Sequence, residues 1–94
     1  MMMEDVRKEV DRVDHEIVRL IARRQELAGK IAKIKISKGH PVHDEKRTRE
    51  VLASVFIRAV ECRIDPVSVQ KIFESLIAMS EERQRECSGE GNLP

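Results

Sequence analysis

Residues 6–35 read VRKEVDRVDHEIVRLIARRQELAGKIAKIK, a stretch without proline whose apolar face carries two cations. Val6, Val10, Val13, Ile17, Leu20, Ile21, Leu27, Ala28 and Ile31 recur at the spacing of one helix face, about 100° of rotation per residue. Arg24 and Lys35 fall within about 30° of the centre of that same face. A guanidinium or ammonium buried without a partner is costly, so a stable fold must give each an anion or a polar cavity. The simplest tenant of such a cavity is an anionic ligand.

Working outward from this stretch, the first helix is expected from about Glu4 to Ser37, ended by Lys38-Gly39-His40-Pro41. Asp44 reads as an N-cap opening a second helix to about Arg63, with Val51, Leu52, Val55, Phe56, Ala59 and Cys62 on its apolar face. Asp65-Pro66 is a cap followed by proline at the first helical position, and a third helix is expected to about Glu86 on Val69, Ile72, Phe73, Leu76 and Ile77. The spacing therefore predicts an all-α chain of one long and two shorter helices, a helical domain over 1–87 and a flexible polar tail over 88–94. A first helix of ~34 residues is ~50 Å long, whereas a compact globule of this size is about 30 Å across. The helix overhangs its own domain while still carrying apolar residues, which predicts a second copy whose long helix packs against this one in a two-fold homodimer. The breaks at Pro41 and Pro66 argue against a sustained coiled coil.

Composition narrows the function. The 94 residues carry 18 basic and 17 acidic side chains, so the net charge of +1 gives little reason to expect nucleic acid. No apolar run approaches the ~18 residues of a membrane span and the start lacks a signal-peptide core, so a cytoplasmic protein is expected. Cys62 and Cys87 read as free thiols. His15, His40 and His43 make no metal-ligand pattern, with His40 and His43 expected to be solvated in the loop between helices. No phosphate loop or nucleophile elbow is present, and the two phenylalanines read as core. General acid-base and covalent catalysis thus lack an obvious agent.

The remaining signal is polar residues on apolar faces. Thr48, with Asp44 one turn before it, lies on the inward face of the second helix, while Ser80 and Gln84 extend that of the third. Singly, each has a local account, such as a hydroxyl bonding back to its own helix. Together with Arg24 and Lys35 they describe a small polar pocket inside a helical bundle.

The order Val6-Arg7, Asp14, Ala22 to Ala28 (ARRQELA), Lys33-Ile34-Lys35, Pro41-Val42-His43-Asp44, Arg47, Ile72-Phe73, Ser80 and Gln84 resembles the all-helical chorismate mutases over about residues 4–86. The resemblance implies an intertwined helical dimer that converts chorismate to prephenate by a pericyclic rearrangement, without metal or cofactor, for phenylalanine and tyrosine synthesis. It implies further that Arg24 and Arg7 of the partner subunit hold the substrate carboxylates, and that Lys35 and Gln84 face the ether oxygen. Asp44, through its backbone N–H, and Thr48 would bind the ring hydroxyl, with Ser80 adding a carboxylate contact and Arg47 supporting the pocket. Thr48 departs from the family, where a Glu is common at this position. Two other readings stay open: an isochorismate-pyruvate lyase with the same cationic pocket, and a non-catalytic helical dimerisation or regulatory module. The second explains the long helix but not Arg24, Lys35 and Gln84 together.

Overall fold

Local capping chemistry divides the chain into three helices. The computed structural model describes residues 1–88 and comprises α1 (Met3–Lys38), α2 (Glu45–Glu61) and α3 (Pro66–Ser88), with no strand among the described residues. Gly39, at φ 68°, ends α1 by donating to the Ile36 carbonyl, and the His40 N–H reaches back to the Lys35 carbonyl at 2.8 Å. Asp44 caps α2 by accepting from the Arg47 N–H at 3.0 Å. Asp65 caps α3 with both carboxylate oxygens, which accept from the Val67 N–H at 3.0 Å and the Ser68 hydroxyl at 2.7 Å. Helix α2 ends before the expected Arg63, and α3 runs through Ser88, a residue expected in the tail. The rest of that tail, 89–94, lies outside the described residues.

Helix α3 is central: α1 and α2 both pack on it and not on each other. Along the α1–α3 contact Arg24 meets Leu76 and Lys35 meets Gln84, so the two helices run in the same direction. The contact uses small residues. Among the described residues the buried side chains are Ala28, Ala32, Ala59 and Gln84, and no large side chain is fully buried. Helix α3 runs beside the C-terminal part of α1 alone, so the N-terminal part of the apolar stripe stays uncovered: Val6, Val10, Val13, Ile17 and Leu20 are 41% to 60% exposed. Phe56, Cys62 and Ile72, expected on core faces, are also exposed in the single chain. Their helices present wider apolar faces than α3 and its neighbours can cover.

Every residue from Met1 to Leu20 is exposed, and the chain measures 54 × 28 × 20 Å. Its accessible surface of 7487 Å² compares with about 5,500 Å² for a compact monomer of this length. No helix among the described residues is long and apolar enough to cross a membrane.

The turn after α2 predicts a stabilising substitution. Arg63 sits at φ 60°, a left-handed conformation that costs a side-chain-bearing residue about 1 kcal/mol, with its N–H bonded to the Val60 carbonyl and that of Ile64 to Ala59. Arg63→Gly should therefore raise stability by up to about 1 kcal/mol, read as a higher urea midpoint at fixed protein concentration. A lower midpoint would contradict this account of the turn.

Candidate active site

Since α1 and α2 lean on α3 without touching each other, a wedge of space remains between them. It forms a cavity of about 370 Å³, within the range of small-molecule sites. Arg24 and Lys35 line it from α1, Val42 and Asp44 from the linker, Arg47 and Thr48 from α2, and Ser80, Glu81 and Gln84 from α3. Leu27, Ala28, Ile31, Val51 and Ile77 supply apolar wall.

The half-buried Arg24 donates Nη1 to the Leu76 carbonyl at 3.1 Å, using one of its five N–H donors. Burial, and then the like charge of Arg47, lower its pKa from the usual arginine value. An arginine still stays cationic at any physiological pH, and two cations lining one cavity strengthen its affinity for an anion. The Lys35 ammonium donates to the Val42 carbonyl and, at 2.8 Å, to Gln84 Oε1. A third N–H remains for a ligand. Gln84, only 5% exposed, donates Nε2 to Ser80 Oγ at 3.2 Å, so lysine, amide and hydroxyl form one chain. Thr48 is half-buried and donates its backbone N–H to the Asp44 carbonyl at 3.0 Å. Arg47 is exposed and reaches Glu50 at 3.6 Å.

The single chain thus brings together Arg24, Lys35, Asp44, Arg47, Thr48, Ser80 and Gln84. Arg7 is not among them. It lies 17 positions before Arg24 on α1, hence ~25 Å away along the axis, and is exposed. Sequence reasoning missed Val42 and Glu81. Val42 holds Lys35 through its backbone carbonyl, which side-chain identity cannot signal, whereas Glu81 precedes Gln84 by three residues and shares its side of α3. The Glu81 carboxylate pairs with His43 Nδ1 at 2.7 Å and Arg85 at 3.8 Å, and His43 Nε2 meets Glu45 at 2.9 Å. His43 is solvent-exposed, as expected, and is also bonded at both ring nitrogens. Its hydrogen bond to Glu81, then that to Glu45, raise its pKa above the ordinary histidine value. Among the described residues no group of His, Cys, Asp or Glu is arranged to hold a metal ion.

A family profile described as chorismate mutase type II matches residues 6–85, which includes all of these side chains. The chain belongs to that family. Membership makes it an all-helical isomerase of the chorismate mutase type. A chorismate mutase of Methanocaldococcus jannaschii is 32% identical over 82 residues, covering 87% of this chain and 83% of that protein. A bifunctional chorismate mutase/prephenate dehydratase of Aquifex aeolicus is 40% identical over 53 residues, 56% of this chain but 15% of that longer protein. Among solved structures, a conserved hypothetical protein from Pyrococcus furiosus superposes with a TM-score of 0.70 at 35% identity, covering 88% of this chain and 95% of that one.

Donors arranged this way predict tight binding of a compact dicarboxylate. A bicyclic dicarboxylate that mimics the transition state of the chorismate rearrangement should bind Arg24→Ala at least ~10-fold more weakly than the parent in titration calorimetry, the scale of one hydrogen bond to a charged group. Equal affinity would remove Arg24 from carboxylate recognition.

Proposed function

We propose that the protein rearranges chorismate to prephenate in the α1–α2–α3 cavity, as a two-fold homodimer whose partner completes each site. The carrying observation is the Lys35 ammonium, half-buried beside Gln84 with two donors committed and one left over, in the same cavity as the Arg24 guanidinium. In this reading Arg24 and Arg7 of the partner subunit grip the two carboxylates, which selects the compact diaxial conformer from which the ring carbons can bond. Thr48 and the backbone N–H of Asp44 receive the ring hydroxyl, Ser80 adds a carboxylate contact, and Arg47 reinforces the positive field.

As the carbon–oxygen bond breaks ahead of carbon–carbon bond formation, negative charge gathers on the ether oxygen. The third N–H of Lys35 and the second N–H of the Gln84 amide stabilise it. Both donors are fixed before reaction by the bonds that tie them to Val42, Ser80 and each other, so little reorganisation is needed when charge appears. No proton moves, and no metal or cofactor enters. The product supplies phenylalanine and tyrosine synthesis, which we assign to the cytoplasm, a reading supported by the free thiols of Cys62 and Cys87.

The dimer is supported by the uncovered stripe of α1 and by a surface about 2,000 Å² larger than that of a compact monomer, an area suited to an obligate interface. Following the fall of chorismate absorbance, with prephenate distinguished from salicylate plus pyruvate, tests the activity against the lyase reading. Lys35→Ala should lower kcat at least ~10²-fold, because its contact matters most in the transition state. An unchanged kcat with only a raised KM would overturn this role.

Arg7 can serve only a site whose other residues come from the second chain, since ~25 Å of helix separates it from Arg24. Inactive Arg7→Ala and Lys35→Ala homodimers, unfolded and refolded together, should recover up to about one quarter of parental activity. Half of the statistically paired dimers are mixed, and each of those has one intact site. Recovery of nothing, with mixed dimers shown to be present, would refute the shared site.

A further inference from the structure

Both ring nitrogens of His43 face carboxylates. Nδ1 lies 2.7 Å from Glu81 Oε1 on α3, and Nε2 lies 2.9 Å from Glu45 Oε2 on α2. A neutral imidazole has one N–H, so one of these contacts would set a lone pair against an anion; only the imidazolium donates at both. The geometry therefore calls for a proton on this ring. Behind the carboxylates stand further charges: Arg85 is 3.8 Å from Glu81, and Arg49 is 3.9 Å from Glu45. Lys35 reaches the same linker from α1, through the Val42 carbonyl.

The linker that His43 fastens matters to the cavity on both sides. Its preceding residue, Val42, holds Lys35, and its following residue, Asp44, caps the helix that carries Arg47 and Thr48. Glu81 is the more unusual element. Its side chain is 19% exposed and lines a cavity otherwise built to receive an anion, so its own charge works against that task unless it is offset.

We propose that His43, as an imidazolium between Glu81 and Glu45, is a positioning residue that fastens the α1–α2 linker to α3 and offsets the Glu81 charge in the cavity wall, so that substrate binds more weakly once this proton is lost. The inference rests on the chorismate reading of the site. The sign follows from the contacts, which favour the protonated ring. The tie is complete below the ordinary histidine value and is lost as pH rises through the raised one. Loss of the proton leaves Glu81 less compensated and the linker less anchored, which opposes a dicarboxylate. Lys35 keeps its Gln84 partner throughout, so the chemical step is little affected.

The test combines steady-state kinetics from about pH 5 to about pH 9 with an NMR titration of the His43 ring, assigned by comparison with His43→Gln. KM for chorismate should rise about 3- to 5-fold across the pH at which His43 deprotonates, the scale of a partly exposed ion pair, with kcat changing less than about 2-fold. His43→Gln should show the higher KM at every pH. His43→Arg, which cannot lose its charge in this range, should keep the low KM to the top of it. A flat parental KM while His43 titrates, or a His43→Arg profile that rises like the parent's, would overturn the proposal. So would a His43 pKa at or below the ordinary histidine value, whatever the activity. A parent protein that leaves chorismate unchanged would instead defeat the functional reading, and the NMR titration would still decide the His43–Glu81 tie.

Discussion

Two cations on an apolar helix face must find oxygen, and the arrangement of the three helices is the answer to that requirement. Arg24 takes the Leu76 carbonyl of α3, and Lys35 takes Gln84 of α3 and Val42 of the linker. Each bond crosses between elements that the chain separates, so satisfying α1 places α3 along its flank and pulls the linker inward. No described buried side-chain nitrogen or oxygen is left without a partner. A polar cluster tied together in this way does not collapse into an apolar core; it holds its remaining donors apart and leaves space among them.

That space has a cost in hydrophobic burial. Contact between α1 and α3 is made through Ala28 and Ala32, side chains small enough to let the helices approach but too small to remove much apolar area from water. The larger residues of the stripe, from Val6 to Leu20, stand clear of the chain's own fold. The same long helix therefore does two jobs along its length: its C-terminal half builds a cavity with α3, and its N-terminal half offers an apolar surface that one chain cannot cover. The homodimer proposed above would reconcile the two, with Arg7, on the uncovered half, reaching from one copy to the cavity of the other.

The electrostatics follow the same division. Arg24, Lys35 and Arg47 make the cavity cationic, and the mutual repulsion of Arg24 and Arg47 is relieved when an anion enters. Glu81 tempers that field from the wall, held in turn by His43 and Arg85. For a reaction whose transition state gathers charge on one oxygen without moving a proton, fixed donors of this kind are what the protein can contribute.

Much of this is legible in the sequence, because helix ends are local. Gly39, Asp44 and Asp65-Pro66 act on neighbours within a turn, so the boundaries of all three helices lie within about two residues of those read from the chain. Periodicity likewise identifies Arg24, Lys35, Thr48, Ser80 and Gln84 as polar residues on inward faces, since a helix assigns every side chain a direction. Direction is not partnership. Only the tertiary structure decided that α3 lies between α1 and α2, that the C-terminal part of α1 makes the contact while the N-terminal part stays uncovered, and that Phe56, Cys62 and Ile72 stay exposed in the single chain. It also brought Glu81 into the cavity wall and closed His43 upon it across 38 residues of chain. Such pairings depend on how helices dock, through backbone carbonyls and small-residue contacts that leave no period and no motif in the sequence.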